Sequence, residues 1–511
     1  MSIASSPERP HLPSGQRTLD GTVAKILQAA AILLALTYIV AYLLLVWQRL
    51  HYPFELEWIE GSMVDHVQRV MSGQALYVAP SMNFVPFNYM PLYYYVAAAL
   101  AQWTGLSFVP LRLISIAASL GTTFLLCLFV RRASASWKAG IVASGLFLAT
   151  FDVSGIWMDM GRVDSLLVFF CMSAVYLLRW HERPWAWLTS GVCLALAFFT
   201  KQVGLVVAIP LIVYAVWQYR ARSLWLIGAF AMACGAMFVW MFAASGGWFW
   251  YYVFDQPAAH ALPYVNLVKF LTRNLFRDLG IIGVATATTW ALLSPRLERR
   301  DVRFYALTAL GLAGAGFLPS LKQGAADNAH IPVQLAIILL FCWIWPIAMQ
   351  AAVEKRWLRM TATLWFVCVA QFCALAYDPR DTLPSRENLA AGRQLVAEIR
   401  DYPGDVLVFC HGRYSVMAGK PSHVHATAFA DLMDGGNAAA QDLLLADYRA
   451  ALRERRYSAI ILDHHDLPQY DPALFNASYR RARRIFDNEQ ALLPVTGARS
   501  QPEWIYEPIP Q

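Results

Sequence analysis

Charged residues are scarce in this sequence: Asp, Glu, Lys and Arg make up 15% of 511 residues, against 58% hydrophobic ones. A soluble chain of this size needs more charge, because its exterior still faces water. No Cys-x-x-Cys pair occurs, and seven of the eight cysteines lie in apolar stretches, Cys410 being the exception. That excludes a disulfide framework and a cysteine-based zinc site. Neither Gly-x-Gly-x-x-Gly nor a P-loop sequence occurs, so neither of those nucleotide cradles is present. The net charge of +7 does not indicate nucleic acid, because the basic residues form short clusters between apolar runs. That is the pattern of membrane orientation, not of a basic face.

What the sequence has instead is hydrophobicity in blocks. Runs such as 26–47 and 224–244 are nearly free of charge and match the ~20 residues that cross a ~30 Å hydrocarbon core. Polar residues precede Ile26, and the first run is long enough to stay in the membrane as a start-transfer helix. Candidate spans cover 26–47, 110–130, 139–157, 164–179, 185–200, 203–217, 224–245, 279–294, 303–319, 331–350 and 357–377. The expected fold is a mainly α polytopic bundle of about eleven spans. It follows a cytoplasmic tail, 1–25, and occupies 26–377. The segment 378–511 carries charge throughout and alternates helix (386–401, 437–456) with apolar strand (405–410, 457–462), which suits a small, separate α/β domain.

The apolar segment 91–105 decides the orientation. Counting it as a span would turn outward the clusters Arg131–Arg132–Lys138, Arg179–Arg183, Arg220–Arg222, Arg296–Arg299–Arg300–Arg303 and Lys355–Arg356–Arg359. Leaving it out places all five inside, as Lys and Arg in short loops prefer. It then reads as an interfacial helix, with Tyr93, Tyr94, Tyr95 and Trp103 at headgroup depth. The large loops 48–109 and 246–278, the smaller ones around 158–163, 201–202 and 320–330, and the C-terminal domain all fall outside.

Most of the chemically capable residues lie on that outer side. Glu55, Glu57 and Glu60 precede an amphipathic stretch with Met63, Val67, Val70 and Met71 at helical spacing, read as a helix lying on the membrane. The helix dipole favours ionised acids at its start. Asp159, Arg162 and Asp164 suggest a polar cavity at the membrane edge. Lys201 and Lys322 are outer lysines against the positive-inside bias, and Arg112 opens a span at the same surface. Cations beside carboxylates suit a phosphate-bearing substrate, while headgroup anchoring is the plainer alternative. His260 follows an aromatic run, Trp248–Tyr252, that an interfacial belt explains. His464-His465-Asp466 is a poor metal site, because adjacent strand residues point to opposite sides.

In this order the motifs resemble the GT-C superfamily of polytopic glycosyltransferases that use lipid-phosphate-linked sugars. The nearest branches are the bacterial aminoarabinose transferases of lipid A and the protein O-mannosyltransferases. The resemblance rests on Ile59-Glu60-Gly61 running to Gly73–Tyr77, Tyr89-Met90-Pro91-Leu92-Tyr93, Pro110–Ser115 around Arg112, Gly161-Arg162-Val163-Asp164, Thr200-Lys201 and Gly324–Asn328. It departs at Ile59, where the family usually keeps an Asp.

The resemblance implies transfer of one sugar from a polyprenyl phosphate to an outer-face hydroxyl of a glycan, lipid or protein, by a single inverting displacement. It implies Glu60 or Glu57 as base, and Arg112, Lys201 and Lys322 as the donor-phosphate clamp. Asp164, Tyr89, Arg162, His260 and Asn328 would contact substrate. No cofactor is required, a divalent cation has room, and the setting is a bacterial inner membrane, with the tail periplasmic in a Gram-negative cell. The rival class, a polytopic transporter or lipid flippase, calls for mid-depth charges and inverted repeats, which the spans do not display.

Overall fold

The computed structural model describes residues 14–270, 275–322, 324, 326–354, 358–463 and 467–510. Lys355–Arg356 of the last basic cluster and the run His464-His465-Asp466 lie outside the described residues. Helix α1 (Ser14–Leu50) leads to α2 (Glu60–Met71), α3 (Leu92–Thr104), α4 (Phe108–Ser134) and α5 (Trp137–Ala149). Then come α6 (Asp164–Trp180), α7 (Pro184–Thr200), α8 (Gly204–Tyr219), α9 (Leu224–Ser245), α10 (Leu275–Leu293), α11 (Arg299–Ser320), α12 (Ile331–Glu354) and α13 (Leu358–Ala374).

Among the described residues, five helical stretches are long and apolar enough to cross a membrane. A sixth candidate is a pair bent by 55° after Ala374. Several expected spans fall on shorter helices. One of the five stretches, Gly204–Ser245, contains both α8 and α9, which part at Arg220 (φ +50°) and its 3₁₀ turn. Small residues let the helices approach closely: a Cβ on Gly145 of α5 would sit 2.4 Å from Ala35 of α1. At 13 residues, α3 is ~20 Å long, short of the ~30 Å core.

Two expectations need correction. The run 139–157 is not helical throughout. Helix α5 stops at Ala149, and 150–163 is an irregular loop whose apolar residues Phe151, Trp157, Met158 and Met160 are buried in protein. Apolarity alone does not separate a lipid-facing helix from a loop tucked into a core. Nor does α2 lie open on a membrane surface. Glu60 to Val67 are all buried, between α3, α4 and the tail.

Basic loops meet at one end of the bundle. Arg179 pairs with Asp301 (2.9 Å) and Arg300 with Glu182 (2.7 Å), and Arg132 reaches His181 (3.3 Å). Asp164 starts α6 and Arg179 ends it, so the acidic loops sit at the opposite end.

The tail contains α14 (Arg386–Asp401), β1 (Val406–Val408), α15 (Gly412–Met417), α16 (Ala426–Asp434), α17 (Ala438–Arg453), β2 (Ala459–Leu462), α18 (Pro472–Ser478), β3 (Tyr479–Arg484) and β4 (Trp504–Pro508). The sheet order is β1-β2-β4-β3, with only β1 and β2 parallel. This layer shares its core with the first outer loop: Phe54 is buried among Leu395, Val408 and Tyr414. The Met82 N–H donates to Asp447 (2.7 Å), and Val424 N–H donates to the Met82 carbonyl (2.9 Å). Asp65 of α2 accepts from Arg413 (3.3 Å) and Ser422 (2.6 Å). Buried His411 sits between Glu55 and Asp463, with Ser500 at its Nε2 (2.8 Å). Burial disfavours the charged ring, yet Glu55 and then Asp463 outweigh it and raise His411 to about 10.

Candidate active site

Glu60 opens α2, and all of its lone pairs are directed at partners. Oε1 accepts from Arg112 Nε (2.8 Å) and Gly161 N–H (2.9 Å); Oε2 accepts from Arg112 Nη2 (2.7 Å) and Leu56 N–H (3.0 Å). The other donors of Arg112 go to the carbonyls of Arg49, Tyr52 and Phe54. Both side chains are 0% exposed. Burial pushes the Glu60 carboxyl up, but the guanidinium more than compensates and holds it below its ordinary range. Asp159 is likewise consumed by Arg49, through two bonds of 2.7 and 3.1 Å.

Glu57, one turn earlier, is held differently. Its Oε2 accepts from Arg162 Nη1 (2.9 Å) and Ile59 N–H (3.2 Å). Its Oε1 is buried and has no hydrogen-bond partner among the described residues. Burial outweighs Arg162 and lifts this carboxyl to about 7. Arg162 donates Nη2 to the Tyr89 hydroxyl (2.7 Å), while its buried Nε has no partner among the described residues. The tail supplies the neighbouring wall. Gly497 (φ +86°) lies so near that a Cβ there would stand 3.1 Å from Glu57 Oε1. Glycine suits both the left-handed backbone and the close approach.

Asp164 starts α6 and joins two other outer segments. Its Oδ1 accepts from Lys201 Nζ (2.7 Å) and its Oδ2 from Asn328 Nδ2 (3.0 Å). Lys201 follows the end of α7, where the chain leaves the helix in an extended conformation. Glu57, Arg162, Tyr89, Asp164, Lys201 and Asn328 thus form one continuous polar cluster, with Tyr89 feeling Arg162, Lys201, Asp164 and Glu57 together.

His260 and Lys322 belong to a second group. Lys322 Nζ donates to the Pro257 carbonyl (2.6 Å). His260 Nε2 stands 3.9 Å from Asp431 of tail helix α16. Asn88 Nδ2 reaches the other Asp431 oxygen at 3.4 Å, and the Asn88 carbonyl accepts from Gln202 (2.6 Å). Sequence reasoning did not single out Asp431 or Asn88 as site residues. Asp431 is an acid in the middle of a tail helix, and nothing local distinguishes it. Among the described residues, no group of three His, Cys, Asp or Glu is placed to hold a metal ion.

The architecture is thus a helical bundle with an acid–arginine cluster at one end and an α/β tail packed against it. Residues 86–249 match the family model described as dolichyl-phosphate-mannose-protein mannosyltransferase. That match spans Tyr89, Arg112, Arg162, Asp164 and Lys201. In fold, the chain is similar to ArnT from Cupriavidus metallidurans bound to undecaprenyl phosphate. The TM-score is 0.56 at 13% identity, covering 97% of this chain and 98% of that one. The apo state of the same protein matches at TM-score 0.51 and 13% identity, over 92% of this chain and 97% of that one. No curated protein sequence matches significantly.

Proposed function

We propose that the chain is a membrane glycosyltransferase that moves one sugar from a polyprenyl-phosphate carrier to an acceptor hydroxyl on the outer face of the membrane. One observation carries the mechanism: Glu57 is a buried carboxylate with one oxygen unpartnered among the described residues and a pKa raised to about 7. A base works best when its pKa lies near the working pH. Glu60 has four donors on it and a lowered pKa, which suits a structural anion. The family description, dolichyl-phosphate-mannose, and the lipid phosphate bound by ArnT support the donor class.

In this reading the acceptor oxygen attacks the anomeric carbon and gives its proton to Glu57 Oε1. The new glycosidic bond forms as the bond to the phosphate oxygen breaks, and the lipid phosphate departs with the electron pair. Lys201 and the unpartnered Nε of Arg162 stabilise the departing charge. Asp164 and Asn328 aim Lys201. Arg112 frames the first loop rather than gripping phosphate, since its donors are already spent on Glu60 and three carbonyls. A single displacement inverts the anomeric centre. The scheme requires no metal ion, and a divalent cation remains compatible with it; turnover measured with EDTA and with added Mg²⁺ distinguishes the two.

The protein would lie in a bacterial inner membrane with its tail outside, an orientation supported by the basic loops gathered at the other end. Mass spectrometry of envelope glycans and glycolipids, with and without the chain, tests the activity. Loss of one sugar-bearing species is expected. An unchanged envelope, together with no release of undecaprenyl phosphate from labelled donor by the purified protein, overturns the proposal.

A further inference from the structure

The group around Asp431 is not used by the mechanism above, yet four separate segments bring polar side chains to it. Asn88 comes from the first outer loop, His260 from the second and Asp431 from the tail; Lys322, from the loop before α12, rests on the Pro257 carbonyl and acts on Asp431 through its charge alone. Its contacts are loose. Asn88 stands at 3.4 Å and His260 at 3.9 Å, both longer than the 2.7–3.2 Å of a well-formed N–H···O bond. The Asp431 side chain keeps 28% of its surface exposed, so its lone pairs are both underused and reachable. Asn88 ties the group to the catalytic cluster twice: its carbonyl holds Gln202, beside Lys201, and its chain neighbour Tyr89 holds Arg162.

We infer that Asp431, with Asn88, His260 and Lys322, forms a saccharide subsite beside the transfer centre, so that the tail helps choose the sugar; this rests on the glycosyltransferase reading. The chemistry favours a neutral polyhydroxylated ligand. Sugar hydroxyls both donate and accept, which matches a carboxylate set among N–H donors. A phosphate would meet Lys322 but be repelled by Asp431. The sugar has two sources, the donor's glycosyl group or a glycan acceptor, and both share this chemistry.

The test uses the full chain in nanodiscs, comparing wild type with Asp431→Asn and Asp431→Ala, with melting temperature as a check on folding. Three probes are used: undecaprenyl phosphate, synthetic polyprenyl-phosphate sugars, and methyl glycosides of the common hexoses and pentoses. Undecaprenyl-phosphate affinity is expected to stay within about twofold. If the subsite holds the donor sugar, affinity for the sugar-bearing lipid falls at least tenfold. If it holds the acceptor, methyl-glycoside binding falls at least tenfold and the sugar-bearing lipid is unaffected. Unchanged binding of both probes by a folded Asp431→Ala protein makes Asp431 a docking contact and overturns the inference. Equal loss of undecaprenyl-phosphate affinity makes the group a phosphate site and overturns it too. These are binding measurements without turnover, so they stand or fall separately from the role of Glu57.

Discussion

The two ends of the short acidic segment in the first outer loop hold similar pairs in opposite conditions. Glu60 with Arg112 and Glu57 with Arg162 are both buried carboxylate–guanidinium contacts, at 2.7 and 2.9 Å. The first pair is saturated: every carboxylate oxygen and every guanidinium nitrogen has a partner. The second is left short, with one carboxylate oxygen and one guanidinium nitrogen that have no partner among the described residues. Charge pairing by itself therefore does not mark a catalytic group. What separates the two ends is spare hydrogen-bonding capacity, present at Glu57 and Arg162 and used up at Glu60 and Arg112.

Disrupting the saturated end should have the largest effect. Arg112→Ala leaves Glu60 charged and buried without its partner, a loss of about 3–5 kcal/mol. A large drop in melting temperature, with little protein recovered in folded form, is expected. A folded, active Arg112→Ala protein would mean the pair is not the loop's frame.

At the other end, Glu57→Gln should lower turnover by roughly 10²-fold or more while the melting temperature falls less than in Arg112→Ala, because the amide oxygen can still accept from Arg162. Glu60→Gln should show the reverse balance, losing stability more than chemistry. If Glu60→Gln is the inactive but stable variant, the assignment of the two acids is inverted.

The pH profile sharpens the same contrast. A base acts only when deprotonated, so with Glu57 raised to about 7 turnover should fall about tenfold per unit as pH drops below that point. Glu60 is held below its ordinary value of 4.5 and would give a flat profile across that range. A kcat profile that stays flat down to pH 4.5 would speak against Glu57.

The smallest expected effect is at Tyr89. Tyr89→Phe removes one hydrogen bond from Arg162 and should slow transfer roughly two- to tenfold, the worth of a single bond. A loss as large as that of Glu57→Gln would promote Tyr89 from a positioning group to a catalytic one.

Much of the layout was legible in the sequence because it is periodic or local. The helical stretch predicted at 386–401 coincides with α14, and the expected strands at 405–410 and 457–462 contain β1 and β2. Arg112, Arg162, Asp164 and Lys201 stood out as polar residues at the ends of apolar runs, while Asn328 entered only through the family resemblance. The pairing was not legible, because Glu60 meets a partner 52 residues away and Glu57 one 105 residues away. No spacing rule chooses between two acids one turn apart when their partners are set by the bundle. The segment 150–157 was misread for a related reason: its apolar residues face protein, and a hydropathy pattern reads the same whichever surface they cover. The shared core of tail and first loop was invisible too, since Phe54 looks like any interfacial aromatic until Val408 and Tyr414 surround it.

The clasp between Glu55 and His411 sets a timetable for biogenesis. The two residues are 356 positions apart, and synthesis proceeds at about 5–20 residues per second, so the first loop waits roughly 20–70 s for the segment that completes it. Throughout that interval Phe54, Glu55 and Asp65 have been made but lack their tail partners. A chain interrupted anywhere before His411 would present a first loop whose buried carboxylates lack the tail cations that neutralise them.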